Sequence, residues 1–464
     1  MKTKVDDINT NIYEIKSTNT TIKKSVGLNE DIIKEISKEK NEPSWVLDIR
    51  LKALDYFNKL SNPDWGPDLS ILNMDEIATY VKPKVDNKRT WEDVPDDIKE
   101  VFDKLGIPED EKKSLAGVGA QFDSEVVYHN IQEDLKKQGV IYVNFDIALK
   151  EYPELIKEYF TKAVPLNDHK YIALHYALFS GGSFVYIPKG VHVDIPLQSY
   201  FRLNEKGAGQ FEHTLIIVDE GASLEFIEGC SAPGYNEINL HAGCVELFVK
   251  KNAKLCFNTI ENWSRNMLNL NTKKCILEDN ASIEWVMGSF GFKISMLYPM
   301  SILNGKNSSC KYTLISFAGK GQNLDTGLKV IHNAPNTKTF VDSRSISKDG
   351  GICTFRSNVF VSKKADDSKV SLSCSSLMLD SISKSDTIPV NTIENNDVEF
   401  SHEASVGKIS DDIIFYLMSR GFNEEEAKSL IVRGFAEPIA KSFPVEYAVE
   451  MNRLINMELE GTIG

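Results

Sequence analysis

Gly221-Ala222-Ser223-Leu224, Asn252-Ala253-Lys254-Leu255, Asn280-Ala281-Ser282-Ile283, Asn307-Ser308-Ser309-Cys310, Asn336-Thr337-Lys338-Thr339 and Asp367-Ser368-Lys369-Val370 are six copies of one weak unit. Each has a small or polar turn pair, a polar residue, then in most copies an apolar one. Successive copies start 31, 28, 27, 29 and 31 residues apart. Between them run FVYIP (184–188), TLIIV (214–218), SLEFIEG (223–229), VELFVK (245–250) and SIEWVMG (282–288), rich in β-branched and aromatic residues and cut by Gly, Asn and Asp. That is strand–turn–strand texture with no helical windows. A steady step with no helix between the strands predicts stacked β-coils, each burying its inward side chains on the next. A β-sandwich also has many short strands, but it needs no fixed period. The expected fold class is mainly β, with a parallel β-helix core over residues 181–405.

Both flanks read differently. Residues 1–180 have a mixed, mostly helical pattern, with the Asn- and Lys-rich first ~40 expected to be a flexible tail. SWVLDIRLKALDYFNKL (44–60) places Trp45, Ile49, Leu51, Leu54 and Phe57 at helical spacing, between Pro43 and Asn62-Pro63. WEDVPDDIKEVFDKL (91–105) predicts a second helix, with Pro95 in its first turn and Gly106 past its end. Residues 406–464 return to helices. One starts at Ser410 with acidic residues in its first turn, one at the capping-box pattern Asn423–Glu426, and one after Pro444. Such a segment caps a solenoid end or docks a partner.

The chain has 464 residues and a net charge of −14, a length that suggests two or three domains. An acidic surface repels phosphate backbones, which disfavours nucleic-acid and anionic-membrane binding. No apolar run is long enough to span a bilayer, and the first residues lack the apolar core of a secretory signal. Seven cysteines is an odd number, and with no export mark they are expected as reduced thiols in a soluble cytoplasmic protein.

Absent motifs narrow the chemistry. There is no P-loop, dinucleotide-binding glycine motif, H-E-x-x-H, EF-hand loop or nucleophile elbow. There is no C-x-x-C either, so a permanent zinc or ferredoxin-type site of local ligands is not expected. Cys310 takes the repeat position of Leu224, Leu255 and Ile283, and Cys244, Cys256, Cys275 and Cys353 lie in strand-like runs; all five read as packing residues. Cys230, in Glu228-Gly229-Cys230-Ser231-Ala232-Pro233-Gly234, stands where a strand meets a turn, so its thiol is expected to be reachable. Cys374 precedes His402 by 28 residues, about one coil, so the two are expected to be neighbours with Glu403 beside them. Thiolate, imidazole and carboxylate are iron-ligand types. Spacing alone favours a buried thiol and a satisfied histidine over a metal site.

Longer stretches carry a resemblance: GVGAQFDSEVVYHNI (117–131), SGGSFVYIPKGVHVDIPLQSYFRLN (180–204), FEHTLIIVDEGASLEFIEGCSAP (211–233) and the end from Tyr416. In these the chain resembles the SufB/SufD family of iron–sulfur cluster assembly proteins, and its SufB members in having both cysteines. The resemblance implies a right-handed parallel β-helix with helical ends, working without enzymatic activity of its own as a scaffold of the SUF system. It further implies a SufC-like ATPase docked on the C-terminal helices, a SufD-like paralogue or a second copy as dimer partner, a cysteine desulfurase with a sulfur-relay protein, and apo-acceptor proteins. The cofactor implied is a transient iron–sulfur cluster, 4Fe-4S or 2Fe-2S, with reduced flavin as a further candidate.

Carried over by position, Cys230 matches the sulfur acceptor. Arg202, Asn204, Glu261, Trp263 and Lys273 match the sulfur route, where Arg202 or Lys273 would favour an anionic sulfur. Cys374, His402 and Glu403 match the residues that hold the nascent cluster. Glu261 departs from a glutamine on the route, and Ser401 from an acidic residue before the His-Glu pair. Without the resemblance, ion pairing for Arg202 and Lys273 and core packing for Trp263 are the plainer readings. Two other readings are a SufD-like subunit that only completes the complex and, remotely, a carbohydrate-active β-helix enzyme. The latter needs paired carboxylates on one face, whereas Asp366-Asp367 and Asp219-Glu220 read as turns.

Overall fold

The computed structural model describes residues 21–83, 98–99, 115–443 and 445–460. The repeat unit is a turn. Gly221, Asn252, Asn280, Asn307, Asn336 and Asp367 all take the left-handed backbone, with φ of 69°, 59°, 56°, 60°, 59° and 55°. Asn and Asp tolerate that region because their short side chains bond locally. Here the bonds run from coil to coil: Asn280 Nδ2 donates to Asn252 Oδ1 at 2.9 Å, Asn307 to Asn280 at 2.8 Å and Asn336 to Asn307 at 2.5 Å. The fourth positions, Leu224, Leu255, Ile283, Cys310, Thr339 and Val370, are successive register partners on parallel strands, and all are buried.

These coils form a mainly β solenoid of about eight turns. One sheet stacks Ser223–Ser231, Lys254–Asn262, Ser282–Phe290, Ser309–Ala318, Lys338–Ser347, Ser368–Met378 and Val398–Lys408. The facing sheet stacks His213–Val218, Cys244–Val249, Thr272–Leu277 and Met300–Leu303, with a short extra strand per turn such as Asn239–His241 or Met267–Asn269. Asn323–His332 pairs with Ile294–Leu297 at its start and Met300–Leu303 at its end, so two strands merge into one. The early coils therefore have a corner that the later ones lack.

Three strands from the region read as mostly helical also belong to these sheets. Gly117–Phe122 pairs parallel with Leu197–Arg202, Glu125–Ile131 folds back antiparallel on it, and Ile141–Asn144 runs antiparallel to Gly182–Ile187. Antiparallel strands end the stack without leaving a parallel edge open for a further coil. The expected tail is shorter than forty residues: Thr21–Val26 pairs with Ala78–Pro83, and helix Glu30–Glu39 buries Ile33 and Ile36 under an Asn29 cap. The expected helix at 91–105 lies outside the described residues, apart from 98–99.

Helix Ser44–Lys59 forms as its stops predict, but Val46, Arg50 and Ala53 are its most buried residues, and the expected stripe is only partly covered. Arg50 is fully buried because Glu42 grips it through two bonds, of 2.9 and 2.6 Å, and the carbonyls of Ala177 and Phe179 take the rest. Asp411–Ser419, Glu424–Ala440 and Val445–Glu460 are the C-terminal helices, with Ser410 and the Asn423–Glu426 capping box at the first two starts. They cover the outer face of the first sheet through Val432, Ala436, Ile439, Met451, Leu454 and Ile455. Among the described residues no helix is long and apolar enough to cross a membrane.

Candidate functional site

Strand alternation sorts the candidates. On Ser223–Ser231 the inward residues are Leu224, Phe226, Glu228 and Cys230. The next coil sets Thr259 beside Glu228 and Glu261 beside Cys230. Lys273 reaches across from the facing sheet: its Nζ lies 2.6 Å from Glu228 Oε1, 3.1 Å from Thr259 Oγ1 and 3.9 Å from Glu261 Oε1. At the corner His241 Nε2 meets Glu212 Oε1 at 2.5 Å, His241 Nδ1 meets Asn269 Oδ1 at 2.8 Å, and Asn269 Nδ2 donates to Glu261 Oε2 at 3.2 Å. The Trp263 ring packs against that of His241, tilted by 41° with centroids 4.7 Å apart. Glu228, His241, Glu261 and Lys273 are each fully buried.

This chamber corrects two expectations. The Cys230 thiol is only 2% exposed, because the strand's inward face carries it under the neighbouring coils. The surroundings also do not favour its anion. Burial first, then the carboxylates of Glu228, Glu212 and Glu261, push the thiol well above its ordinary range, and Lys273 only partly opposes them. Lys273 serves the carboxylates instead. Burial pulls its ammonium down, but Glu228 and Glu261 hold it above the usual value. Burial raises Glu261 against the opposing pull of Lys273.

Of the five route candidates, Glu261, Trp263 and Lys273 line this chamber, and Arg202 and Asn204 do not. Phe201 is the register partner of Cys230, whereas Arg202 pairs with Ser231 on the other face and donates to its Oγ at 2.9 Å. Asn204 lies past the strand end, its backbone N–H bonded to Asp123 Oδ1 at 2.7 Å. Sequence reasoning missed Glu228, Glu212, His241, Thr259 and Asn269. Glu228 was findable two residues before Cys230, and Glu212, His241 and Asn269 stand one coil step apart.

Cys374 shares the inward face with Cys230. Its row runs Glu228, Thr259, Met287, Leu314, Ser343, Cys374, and the row of Cys230 runs Glu261, Ser289, Ser316, Ser345, Ser376. The two thiols therefore occupy adjacent rows five rungs apart, about 24 Å at the usual inter-strand spacing. The four serines are buried, and Ser345 Oγ lies 2.7 Å from Ser376 Oγ. Cys374 Sγ lies 3.5 Å from His402 Nε2 on the next rung, as the spacing predicts. Burial, with Asp342, pushes that thiol up to about 12. Glu403 is exposed and, by alternation, on the opposite strand face from His402, so the three do not converge. Among the described residues, the outer edges of Val398–Lys408 and Lys384–Ile393 pair with no further strand.

Known proteins match this chain along its length. Residues 201–435 match the family described as SUF system FeS cluster assembly, SufBD core domain, and 76–199 match the SufBD protein N-terminal region. The chain is 50% identical over 465 residues, all of both chains, to the iron–sulfur cluster assembly protein SufB of Bacillus subtilis. It is 52% and 51% identical, over 94% of each chain, to iron–sulfur cluster assembly SufBD family proteins of Staphylococcus haemolyticus and Staphylococcus epidermidis.

Proposed function

Because the chain belongs to the SufBD family of iron–sulfur cluster assembly proteins, we propose that it is a non-enzymatic scaffold. Cys230 receives persulfide sulfur, and Cys374 with His402 holds a transient cluster until an acceptor protein takes it. The observation that carries this reading is the placement of both thiols on one inward face, with a row of polar side chains, Glu261, Ser289, Ser316, Ser345 and Ser376, running from Cys230 to beside Cys374. A thiol and an imidazole are a softer hold than a four-cysteine cage, which suits a cluster meant to leave.

Exposed surfaces support the partners that the family implies. Helix Asp411–Ser419 exposes Ile413, Phe415 and Tyr416, a docking face for a SufC-like ATPase. The unpaired rung, with Ile388, Val390, Ile393 and Val406 exposed, fits another solenoid end, from a SufD-like paralogue or a second copy. Sulfur comes from a cysteine desulfurase and its relay protein, and reduced flavin is a source of the two electrons that turn sulfane sulfur into sulfide. The setting is cytoplasmic. Anaerobic reconstitution of the chain, alone and co-expressed with its partner, with ferrous iron and sulfide tests the reading by absorption and Mössbauer spectra. A cluster spectrum lost in Cys374→Ala is expected. An equal spectrum in that variant overturns the assignment of Cys374 and leaves a SufD-like structural role.

A further inference from the structure

Helix Lys170–Leu178 crosses the starts of two stacked strands, and three ligand-type side chains meet there, apart from both cysteine sites. His213 and Cys244 open His213–Val218 and Cys244–Val249 and are register partners on successive coils. His175 comes from the helix, with its Nε2 3.0 Å from His213 Nδ1. One ligand atom from each of the three lies within 4.8 Å of the other two. His175 and His213 are fully buried and Cys244 is 1% exposed.

One buried ring nitrogen of this cluster, His213 Nε2, has no hydrogen-bond partner among the described residues. His175 Nδ1 faces the Ala242 carbonyl oxygen at 2.9 Å, which only accepts, so Nδ1 carries the hydrogen and Nε2 keeps its lone pair. His213 Nε2 faces Glu246 Oε2 at 3.4 Å. Both oxygens of Glu246 already act as acceptors: Oε1 takes the N–H groups of Ala163 and Val164 at 2.9 Å, and Oε2 takes that of Thr161 at 2.8 Å. Thr161 has φ of 67°, a region a β-branched residue enters only when its surroundings hold it there. If the hydrogen of His213 sits on Nε2, it points toward Glu246 without forming a hydrogen bond, and two lone pairs confront each other at 3.0 Å. If it sits on Nδ1, it bonds His175 and leaves a lone pair against the carboxylate.

We propose that His175, His213 and Cys244 form a structural site for a borderline divalent cation, zinc(II) in the first place, with Glu246 orienting His213 from outside. A cation between the imidazoles removes both conflicts. Handing the remaining ring N–H to a carbonyl or carboxylate is how metal-ligating histidines are held in place. Tetrahedral zinc sets its nitrogens about 3.3 Å apart, close to the observed spacing, and an imidazole–thiolate set matches its softness. Zinc binds cysteine as the thiolate. Loading therefore breaks the S–H bond, forms a sulfur–metal bond and releases one proton, with no change of oxidation state. The site is closed to solvent, so the ion enters as the chain folds. Its effect is to pin the helix to two successive coils.

Full-length chain from zinc-supplemented cells, dialysed against EDTA, is assayed for metal by plasma mass spectrometry. About one zinc per chain is expected in wild type and in Cys374→Ala, falling at least tenfold in Cys244→Ser and His213→Gln. X-ray absorption on wild type needs no variant to fold, and its expected inner shell holds one sulfur and nitrogen neighbours. Folded wild type without stoichiometric metal overturns the proposal. So does metal lacking a sulfur neighbour, or zinc retained in full by folded Cys244→Ser.

Discussion

Replacing Lys273 with methionine isolates the chamber's central ion pair. Lys273 and Glu228 meet at 2.6 Å with no exposure on either side chain, and Glu261 adds a second carboxylate at 3.9 Å. Methionine keeps most of the side-chain length, so the cavity term is small. What is lost is the cation bonded to Glu228, the only one among the described residues, and the carboxylate must then stay charged or take a proton in the core. Breaking a buried pair from one side costs about 3–5 kcal/mol, most of it the stranded charge rather than the lost attraction. Glu228→Gln in the same chain removes that charge, so the double variant should recover about 2 kcal/mol or more of the loss. Urea denaturation of wild type, both single variants and the double variant, with reductant present, closes the cycle. The reasoning fails if Lys273→Met lies within about 1 kcal/mol of wild type, or if the double variant is no more stable than Lys273→Met. On the proposed reading, the double variant folds yet accepts less persulfide sulfur at Cys230, which separates the chamber's structural and chemical roles.

At the coil turns, Asn280→Val should lose about 1–2 kcal/mol more than Asn280→Gly, because only the valine is forced into a left-handed backbone; equal denaturation midpoints would contradict this. Burial, opposed by Arg265, raises Glu458 from 4.5 to about 7. The native chain then keeps a proton that the unfolded chain releases, so stability is fully present below about pH 4.5 and declines by about 3 kcal/mol as pH rises toward 7. Glu458→Gln should flatten that decline in denaturation curves taken across the range, and a variant profile parallel to wild type's would sink the assignment. Iodoacetamide at pH 8 should modify Cys230 at least about a hundredfold more slowly than an unfolded-peptide thiol, because both its burial and its raised proton affinity oppose attack. Prompt carboxymethylation found by peptide mass spectrometry would mean that the chamber stands open.

Local signals were the ones that could be read directly from the chain. The left-handed turn needs Asn, Asp or Gly, so Asn252, Asn280, Asn307 and Asn336 marked the coil step without any alignment. The same step brought His402 to Cys374, because parallel in-register coils turn a sequence interval into a contact. Glu403 was misplaced by neglect of alternation, since adjacent strand residues face opposite ways, and Arg202 fell on the far face from Cys230 for the same reason. Lys273 reaching Glu228 was not legible from spacing, because it depends on how two sheets face each other across the core. The antiparallel strands at 125–131 and 141–144 were hidden for a similar reason: their partners are set by the need to finish the stack.

A solenoid's stability is carried by contacts between neighbouring coils, which makes position along the stack an energetic variable. Cys230 sits on a strand paired on both sides, with Leu197–Arg202 before it and Lys254–Asn262 after it. Exposing its thiol means parting two full ladders and unpairing Lys273 from its carboxylates. Cys374 is one rung from the free end, and the rung beyond it, Val398–Lys408, is exposed along most of its length and held on one side only. Moving that last rung breaks a single ladder and leaves the charged chamber intact. On the proposed reading, cluster exchange therefore belongs at the end and sulfur entry needs the larger work. That is consistent with a separate ATPase acting through the C-terminal helices, whose apolar side chains lie against the outer face of the same sheet, at Ile260, Val286 and Ile346.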